Sequence, residues 1–274
     1  MSVKIILLDL DGTLLASDKT LSPANYAALE RAAQMGVHIV PSTGRFYDAM
    51  PEVVRRLPFV RYVVTVNGAQ IYDVQEKKVL HQEELSPEEA LAVYEHFESL
   101  PTICDCYVEG WGYMDRSHYA RIDEFTCTAP PYVGKMLKEL RTSVDDVKEI
   151  IRGHRVQKVM CFFKDMDRRA AELARMPALF PHLRTTSSIV NNMEVNAMGA
   201  NKGDALRHLC AHLGVDVKDT MAFGDGSNDL TMIRTAGIGV AMGNAYQGLK
   251  DAADYITLDC DEDGVAHAVE KFVF

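Results

Sequence analysis

The sequence predicts an α/β fold, a doubly wound parallel sheet with a separate α+β unit inserted in it. Three observations carry this expectation. Ile5-Ile6-Leu7-Leu8 is a continuous apolar run, which suits a strand covered on both faces, where no polar alternation is needed. Strand and helix signals alternate in the first and last parts of the chain, as they do in doubly wound sheets. Between them the pattern changes to another mixture of strands and helices.

After the first strand, Ser22 is a good N-cap, Pro23 occupies the first helical position and Gly36 supplies a left-handed stop. Strands are expected next at residues 37–40 and 60–66. Asp9, Thr43 and Asn67 then fall just past strand ends, where ligands bind in such Rossmann-like sheets. Ser86-Pro87-Glu88-Glu89 opens a helix with a capping box. Residues 103–108, 156–163 and, at the far edge, 189–195 read as strands. The insert is placed at residues 83–188 and the core at 1–82 and 189–274. From Asn201 the alternation returns, with a helix to Leu213 stopped by Gly214, a strand at 220–223, a helix from Ser227 and a strand at 238–242.

A chain of 274 residues with 47% apolar and 25% charged residues can bury a full core in one large domain or two unequal ones. Its formal net charge of −10 opposes attraction to nucleic acid or to anionic lipid. No apolar segment reaches membrane-spanning length, so a cytoplasmic protein with no nucleic-acid or membrane partner is expected. Six cysteines are too few for a disulfide scaffold at this length and suit a reducing compartment. Cys104 and Cys106 alternate along an expected strand and read as packing residues.

Asp9-Leu10-Asp11-Gly12-Thr13 sets two carboxylates two residues apart at the exit of the first strand, on one side of it. A divalent cation would relieve their repulsion, and Gly12 would let the backbone turn closely around it. On its own, Asp-Gly after a strand is ordinary turn chemistry. Gly224-Asp225-Gly226-Ser227-Asn228-Asp229 repeats the arrangement. A helix cap accounts for one of its acids and leaves the other without a reason. Ser42-Thr43-Gly44-Arg45 offers a hydroxyl and backbone N–H groups to phosphate oxygens, or is simply a turn with a surface charge. Lys202 opens a helix, where the macrodipole disfavours a cation, so a phosphate or a carboxylate should compensate it. His208 and His212 stand four apart on one helix without an evident third ligand, so a zinc role is not assigned to them.

These four segments, in this order, resemble the four motifs of the haloacid dehalogenase (HAD) superfamily. Asn67-Gly68-Ala69 before the insert, and Ala241-Met242-Gly243-Asn244-Ala245, Ala252-Ala253-Asp254-Tyr255 and Asp263-Gly264-Val265-Ala266 near the end, are similar to the group called Cof-type phosphatases with a C2B cap. The resemblance implies a HAD fold whose insert is the cap. It implies a phosphatase that uses Mg2+ and an aspartyl-phosphate intermediate on a small phosphorylated metabolite. Asp9 matches the nucleophile and Asp11 the acid/base, with Thr43 and Lys202 as phosphate-binding groups. Asp225 and Asp229, with Asp9 and the Asp11 backbone carbonyl, match the metal site. Arg45, Asn67 and Asn228 are weaker candidates for substrate contact, with bracing of the cap or of the turn that aims Asp225 as the alternative. The motifs do not separate a phosphatase from a phosphomutase. A phospho-accepting signalling module would share the acidic pocket, threonine and lysine, but has no role for Asp11 or for the insert.

Overall fold

The computed structural model describes residues 2–127, 129 and 132–274. The chain enters as β1 (Ile5–Leu8), β2 (His38–Pro41) and β3 (Tyr62–Thr65), followed by β4 (Gln70–Asp73) and β5 (Lys78–Gln82). The middle stretch supplies β6 (Thr102–Val108), β7 (Trp111–Asp115), β8 (Arg141–Val144), β9 (Lys158–Phe163), β10 (Leu183–Thr186) and β11 (Asn192–Ala197). The chain returns as β12 (Thr220–Gly224), β13 (Ile238–Ala241) and β14 (Tyr255–Ile256).

In the first unit, β1, β2, β12, β13 and β14 form a parallel sheet in the order β14-β13-β12-β1-β2. The apolar run of β1 is explained by its two covered faces. Ile6 and Leu8 pack into one apolar cluster with Phe223 and Val240, whereas Ile5 and Leu7 pack into another with Ala222 and Leu206. Leu8 lies opposite both Phe223 and Pro41, so the segments after β1, β2 and β12 emerge at one level of the sheet. Helix Pro23–Gln34 starts on the Ser22 side chain, which accepts the Asn25 N–H, and Gly36 follows its end with φ +88°. Helix Lys202–Leu213 ends on left-handed Gly214.

Two expectations change. The strand expected at 60–66 is shorter and lies beside β2 without joining its ladder, bridged only where Ile39 meets Val60 and where Ser42, just past β2, meets Val64. It pairs instead with β4, and β4 with β5, in an antiparallel sheet that the sequence reading left out. Val66, Asn67 and Gly68 all take positive φ and turn the chain back on itself. The insert also runs further than residue 188. The second unit is Glu83–Ala200, because β11 pairs with β9 and β10, and its Met193 and Val195 fill that unit's apolar cluster. Residues 189–200 therefore leave the core, which resumes at Asn201.

The second unit is a six-stranded sheet in the order β10-β11-β9-β6-β7-β8, antiparallel except for β7 with β8. Helices Pro87–Glu98, Val147–Gly153 and Met166–Leu179 contribute Val93, Tyr94, Phe97, Ile151 and Met176 to its apolar cluster. Cys104 and Cys106 point into the same cluster, and burial pushes both thiols up. The Ser86 capping box forms as expected, with the Glu89 side chain accepting the Ser86 N–H. Among the described residues, no helix is long and apolar enough to cross a membrane.

Candidate active site

The strand ends of the first unit gather the acidic segments. Asp9 continues the β1 ladder by donating its N–H to the Phe223 carbonyl at 3.0 Å, and it is 8% exposed. Gly12 has φ +83°, and a Cβ there would stand 2.5 Å from the Asp225 carboxylate, so the turn needs glycine twice over. The Thr13 hydroxyl donates to Asp225 Oδ1 at 3.2 Å, and Asn244 Nδ2 donates to the Gly12 carbonyl at 2.8 Å.

Lys202 resolves the anomaly of a cation at a helix N-terminus. Its fully buried Nζ donates to Asp9 Oδ1 and Asp229 Oδ1, each at 2.6 Å, and to the Ser42 carbonyl at 2.8 Å. The helix itself is capped by Asn201, whose side chain accepts the Asp204 N–H. The helix expected from Ser227 begins as a tight turn, Ser227–Asp229, and continues as Leu230–Thr235. Asp229 Oδ2 closes that turn by accepting the N–H groups of Asp225 and Gly226 at 3.0 and 2.9 Å. The N-cap of that turn is Gly226 and not an acid as foreseen; Asp229 is its third residue and bonds back to the backbone before it. Asp225 accepts only the Thr13 hydroxyl among these contacts.

Thr43 is buried, its hydroxyl accepting the Arg45 N–H at 3.2 Å, and Asn67 donates its N–H to the Thr43 carbonyl. Asn67 sits in the left-handed region at φ +59°, and its side-chain oxygen accepts a hydrogen bond from Asn228 Nδ2 at 3.2 Å. Gly44 makes room for that oxygen, since a Cβ there would come within 2.8 Å of it. The two amides thus brace each other across the strand ends. The guanidinium of Arg45 is placed on Asp11, with Nη2 and Nε at 2.7 and 3.1 Å from Oδ2. His208 stacks on His81, whereas His212 lies edge-on to Tyr62, so the two rings are drawn to different neighbours.

Charge follows from this packing. Burial pushes the Asp9 carboxyl well above the ordinary range, and Asp229 and Asp225 add to that against the pull of Lys202. Burial and the charge of Asp229 push Asp225 up to about 6. Burial would lower the Lys202 ammonium, but Asp229 and Asp9 hold it above the ordinary lysine value. Burial would likewise raise Asp11, and the charges of Arg45 and Lys19 overcome it and hold the carboxyl below its ordinary value.

One oxygen from each of Asp9, Asp225 and Asp229 lies within 4.8 Å of the others. Three carboxylates facing one ammonium leave an excess of negative charge that a hard divalent cation would balance, and an all-oxygen donor set fits such an ion. Sequence reasoning assigned no role to three groups at the site: Lys19, which stands 2.9 Å from Asp11 Oδ1; the Ser42 carbonyl, which accepts from Lys202; and Asn244, which donates to the Gly12 carbonyl. Ser42 and Asn244 lie in segments already noted for their resemblance, whereas Lys19 carried no signal.

Residues 6–269 match the family of haloacid dehalogenase-like hydrolases. The 5-amino-6-(5-phospho-D-ribitylamino)uracil phosphatase YcsE of Bacillus subtilis (strain 168) is 32% identical over 277 residues, which cover 100% of this chain and 97% of that protein. A haloacid dehalogenase-like hydrolase from B. subtilis has a TM-score of 0.84 at 29% identity, over 98% of this chain and 100% of its own. The sugar phosphatase BT4131, of HAD subclass IIB, has a TM-score of 0.81 at 26% identity, over 98% of this chain and 99% of its own. The chain therefore belongs to the haloacid dehalogenase-like hydrolases and is a phosphatase of that superfamily.

Proposed function

We propose that the chain is a magnesium-dependent phosphatase that hydrolyses a small phosphorylated metabolite in the cytoplasm through an aspartyl phosphate on Asp9. The observation that carries this reading is the buried Asp9 carboxylate, with one oxygen fixed by Lys202 and Asp225 and Asp229 beside it. A nucleophile so held keeps one orientation for in-line attack.

Asp9 attacks phosphorus, forming the Asp9–phosphorus bond as the bond to the leaving oxygen breaks. Asp11, which Arg45 and Lys19 favour as the carboxylate, takes up a proton as the ester binds, gives it to that oxygen, and then takes one from the water that cleaves the aspartyl phosphate. Thr43 and Lys202 hold the transferring oxygens, since phosphoryl transfer depends on positioning and charge stabilisation. Asp9, Asp225 and the Asp11 backbone carbonyl would hold Mg2+, which neutralises charge developing on the phosphoryl group. Asp229 already has both oxygens engaged, which favours its reaching the ion through water. Arg45, Asn67 and Asn228 are better read as braces, each paired with another site residue.

A small metabolite as substrate is supported by the relatives, whose names specify a phosphoribitylaminouracil and a sugar phosphate. The unpaired cysteines, five of them buried, fit a reducing cytoplasm. Labelled acetyl phosphate tests the intermediate. The parent protein should trap one acid-stable phosphoryl group per chain on Asp9, and Asp9→Asn should trap none. A full equivalent of label on the variant would place the nucleophile elsewhere. A panel of phosphate esters would then identify the leaving group.

A further inference from the structure

The turn Val66–Gly68, between β3 and β4, takes three left-handed conformations in succession, with φ +50° at Val66, +59° at Asn67 and +100° at Gly68. Among the described residues Val66 is the one β-branched residue with a positive φ, a conformation that crowds its Cβ, and it is fully buried. Backbone bonds fix the turn to the segment after β2. Val66 donates its N–H to the Arg45 carbonyl at 2.9 Å. Thr43 is held on both sides, its N–H donating to the Val64 carbonyl and its carbonyl accepting the Asn67 N–H, each at 2.9 Å. The far side of the turn lies against the start of the helix that carries Lys202. A Cβ on Gly68 would stand 2.3 Å from the carbonyl carbon and oxygen of Asn201 and 2.9 Å from the Lys202 nitrogen, backbone atoms that no side-chain rotation can move. Lys202 closes the circuit, since its ammonium donates to the carbonyl of Ser42, the neighbour of Thr43, at 2.8 Å.

A backbone strained in this way persists only where its surroundings over-determine it, and such places cluster at functional sites. What the surroundings determine here is a separation. The turn holds Thr43 by hydrogen bonds and the backbone of Lys202 by close packing, although the two residues come from opposite parts of the chain. We propose that Gly68, with the left-handed turn it ends, is a positioning residue of phosphoryl transfer, which sets the gap between the Thr43 hydroxyl and the Lys202 ammonium to the width of the transferring group. This rests on the roles proposed above for Thr43 and Lys202. The turn itself makes and breaks no bond, and its effect reaches the phosphoryl group through those two side chains.

The test pairs turnover with the affinity for vanadate, which adopts the five-coordinate geometry of the transferring phosphorus, and for inorganic phosphate, which does not. Gly68→Ala must push the Asn201–Lys202 peptide aside, and a misplacement of about 1 Å costs about a hundredfold in rate. It should lower kcat by about that factor and weaken vanadate in parallel, with KM and phosphate affinity within about threefold of the parent. Gly36→Ala is the control for backbone strain alone, because Gly36 has φ +88° and nothing within 4 Å of the place a Cβ would take. It should lose stability and keep the parent kcat. Asn67→Gly adopts the left-handed backbone without strain, but unlocks the middle of the turn and deletes the bond from Asn228. It should fold, and should lower kcat and vanadate affinity together by about tenfold. If Gly68→Ala does not fold, Asn67→Gly decides by the same criteria. A kcat within about twofold of the parent in either folded variant, a rise in KM alone, equal weakening of vanadate and phosphate, or an equal loss of kcat in Gly36→Ala would overturn the proposal. Thr43→Val, run in parallel, separates the two readings. If it weakens vanadate and Gly68→Ala does not, only the role of the turn fails; if it leaves vanadate as tight as in the parent, the phosphate-binding role of Thr43 fails and takes the positioning role with it.

Discussion

Lys202 joins Asp9 to Asp229 through one buried ammonium, 2.6 Å from an oxygen of each, although the two acids lie at the ends of different strands and far apart in sequence. The same lysine therefore orients the carboxylate proposed as the nucleophile and offsets the repulsion among three clustered carboxylates.

Removing it should cost both stability and activity. Lys202→Met leaves Asp9 and Asp229 buried without their cation, and breaking such a pair typically costs about 3–5 kcal/mol. Urea unfolding at neutral pH should show that loss, and added Mg2+ should recover part of it by binding the excess negative charge. Activity should fall at least about a hundredfold, since the donor proposed for the transferring oxygens is lost. A variant as stable as the parent would mean that the carboxylates are already protonated in the folded protein.

Metal dependence follows from the same cluster. Activity should vanish in EDTA and return with Mg2+, whereas Ca2+ should support it poorly. Calcium accepts looser coordination and can engage both oxygens of Asp9, which spoils the in-line attack. Asp225→Asn should weaken Mg2+ binding measured by calorimetry about tenfold or more, because it removes an anionic ligand and leaves the fold intact. Full turnover in chelator would remove the metal from the reaction.

The hairpin formed by β4 and β5 allows a test of pH. Asp73 Oδ1 accepts the N–H groups of Gln75 and Glu76 at 3.0 Å, and Oδ2 pairs with Arg61 at 2.9 Å. Burial would raise its carboxyl, but the Arg61 contact and the turn N–H groups hold it below the ordinary value. The stability it contributes is present above its unfolded value, about 3.9, and is lost as pH falls from there through the lower folded value. Asp73→Asn should cost about 2 kcal/mol at pH 7. The difference from the parent should hold steady down to about pH 5 and shrink only below about pH 4. Shrinkage already at pH 6 would show that another group sets the difference.

What the sequence made legible was local or strongly patterned. The apolar run of β1, the caps at Ser22 and Ser86 and the stop at Gly214 each depend on a few neighbouring residues. The oddly placed charge on Lys202 called for an anion, and two were found there. The hairpin was missed because β5 is mostly half-exposed, with no apolar stripe to announce it. The insert's far boundary was missed because β11 alternates much as a core strand does, and only its partners, β9 and β10, reveal its sheet. Arg45 and Lys19 meet on Asp11 through loops, where neither periodicity nor spacing foretells a contact.

The corrected boundary sharpens the question of substrate choice. Every motif residue belongs to the first unit, and the second, Glu83–Ala200, carries its own sheet and its own apolar cluster. A unit with its own core can be exchanged without emptying the core of the other. Replacing it between Gln82 and Asn201 with the corresponding unit of a relative should change which phosphate ester is preferred. Acetyl phosphate, too small to need contacts beyond the reacting groups, should be turned over within about threefold of the parent rate, because those groups are held by the first unit alone. A cut at residue 188 should instead leave β11 without β9 and β10, and that chimera should fold poorly. If the chimera joined at Ala200 folds but loses acetyl phosphate and ester hydrolysis equally, the second unit contributes to the chemistry itself, and assigning it substrate choice alone is wrong.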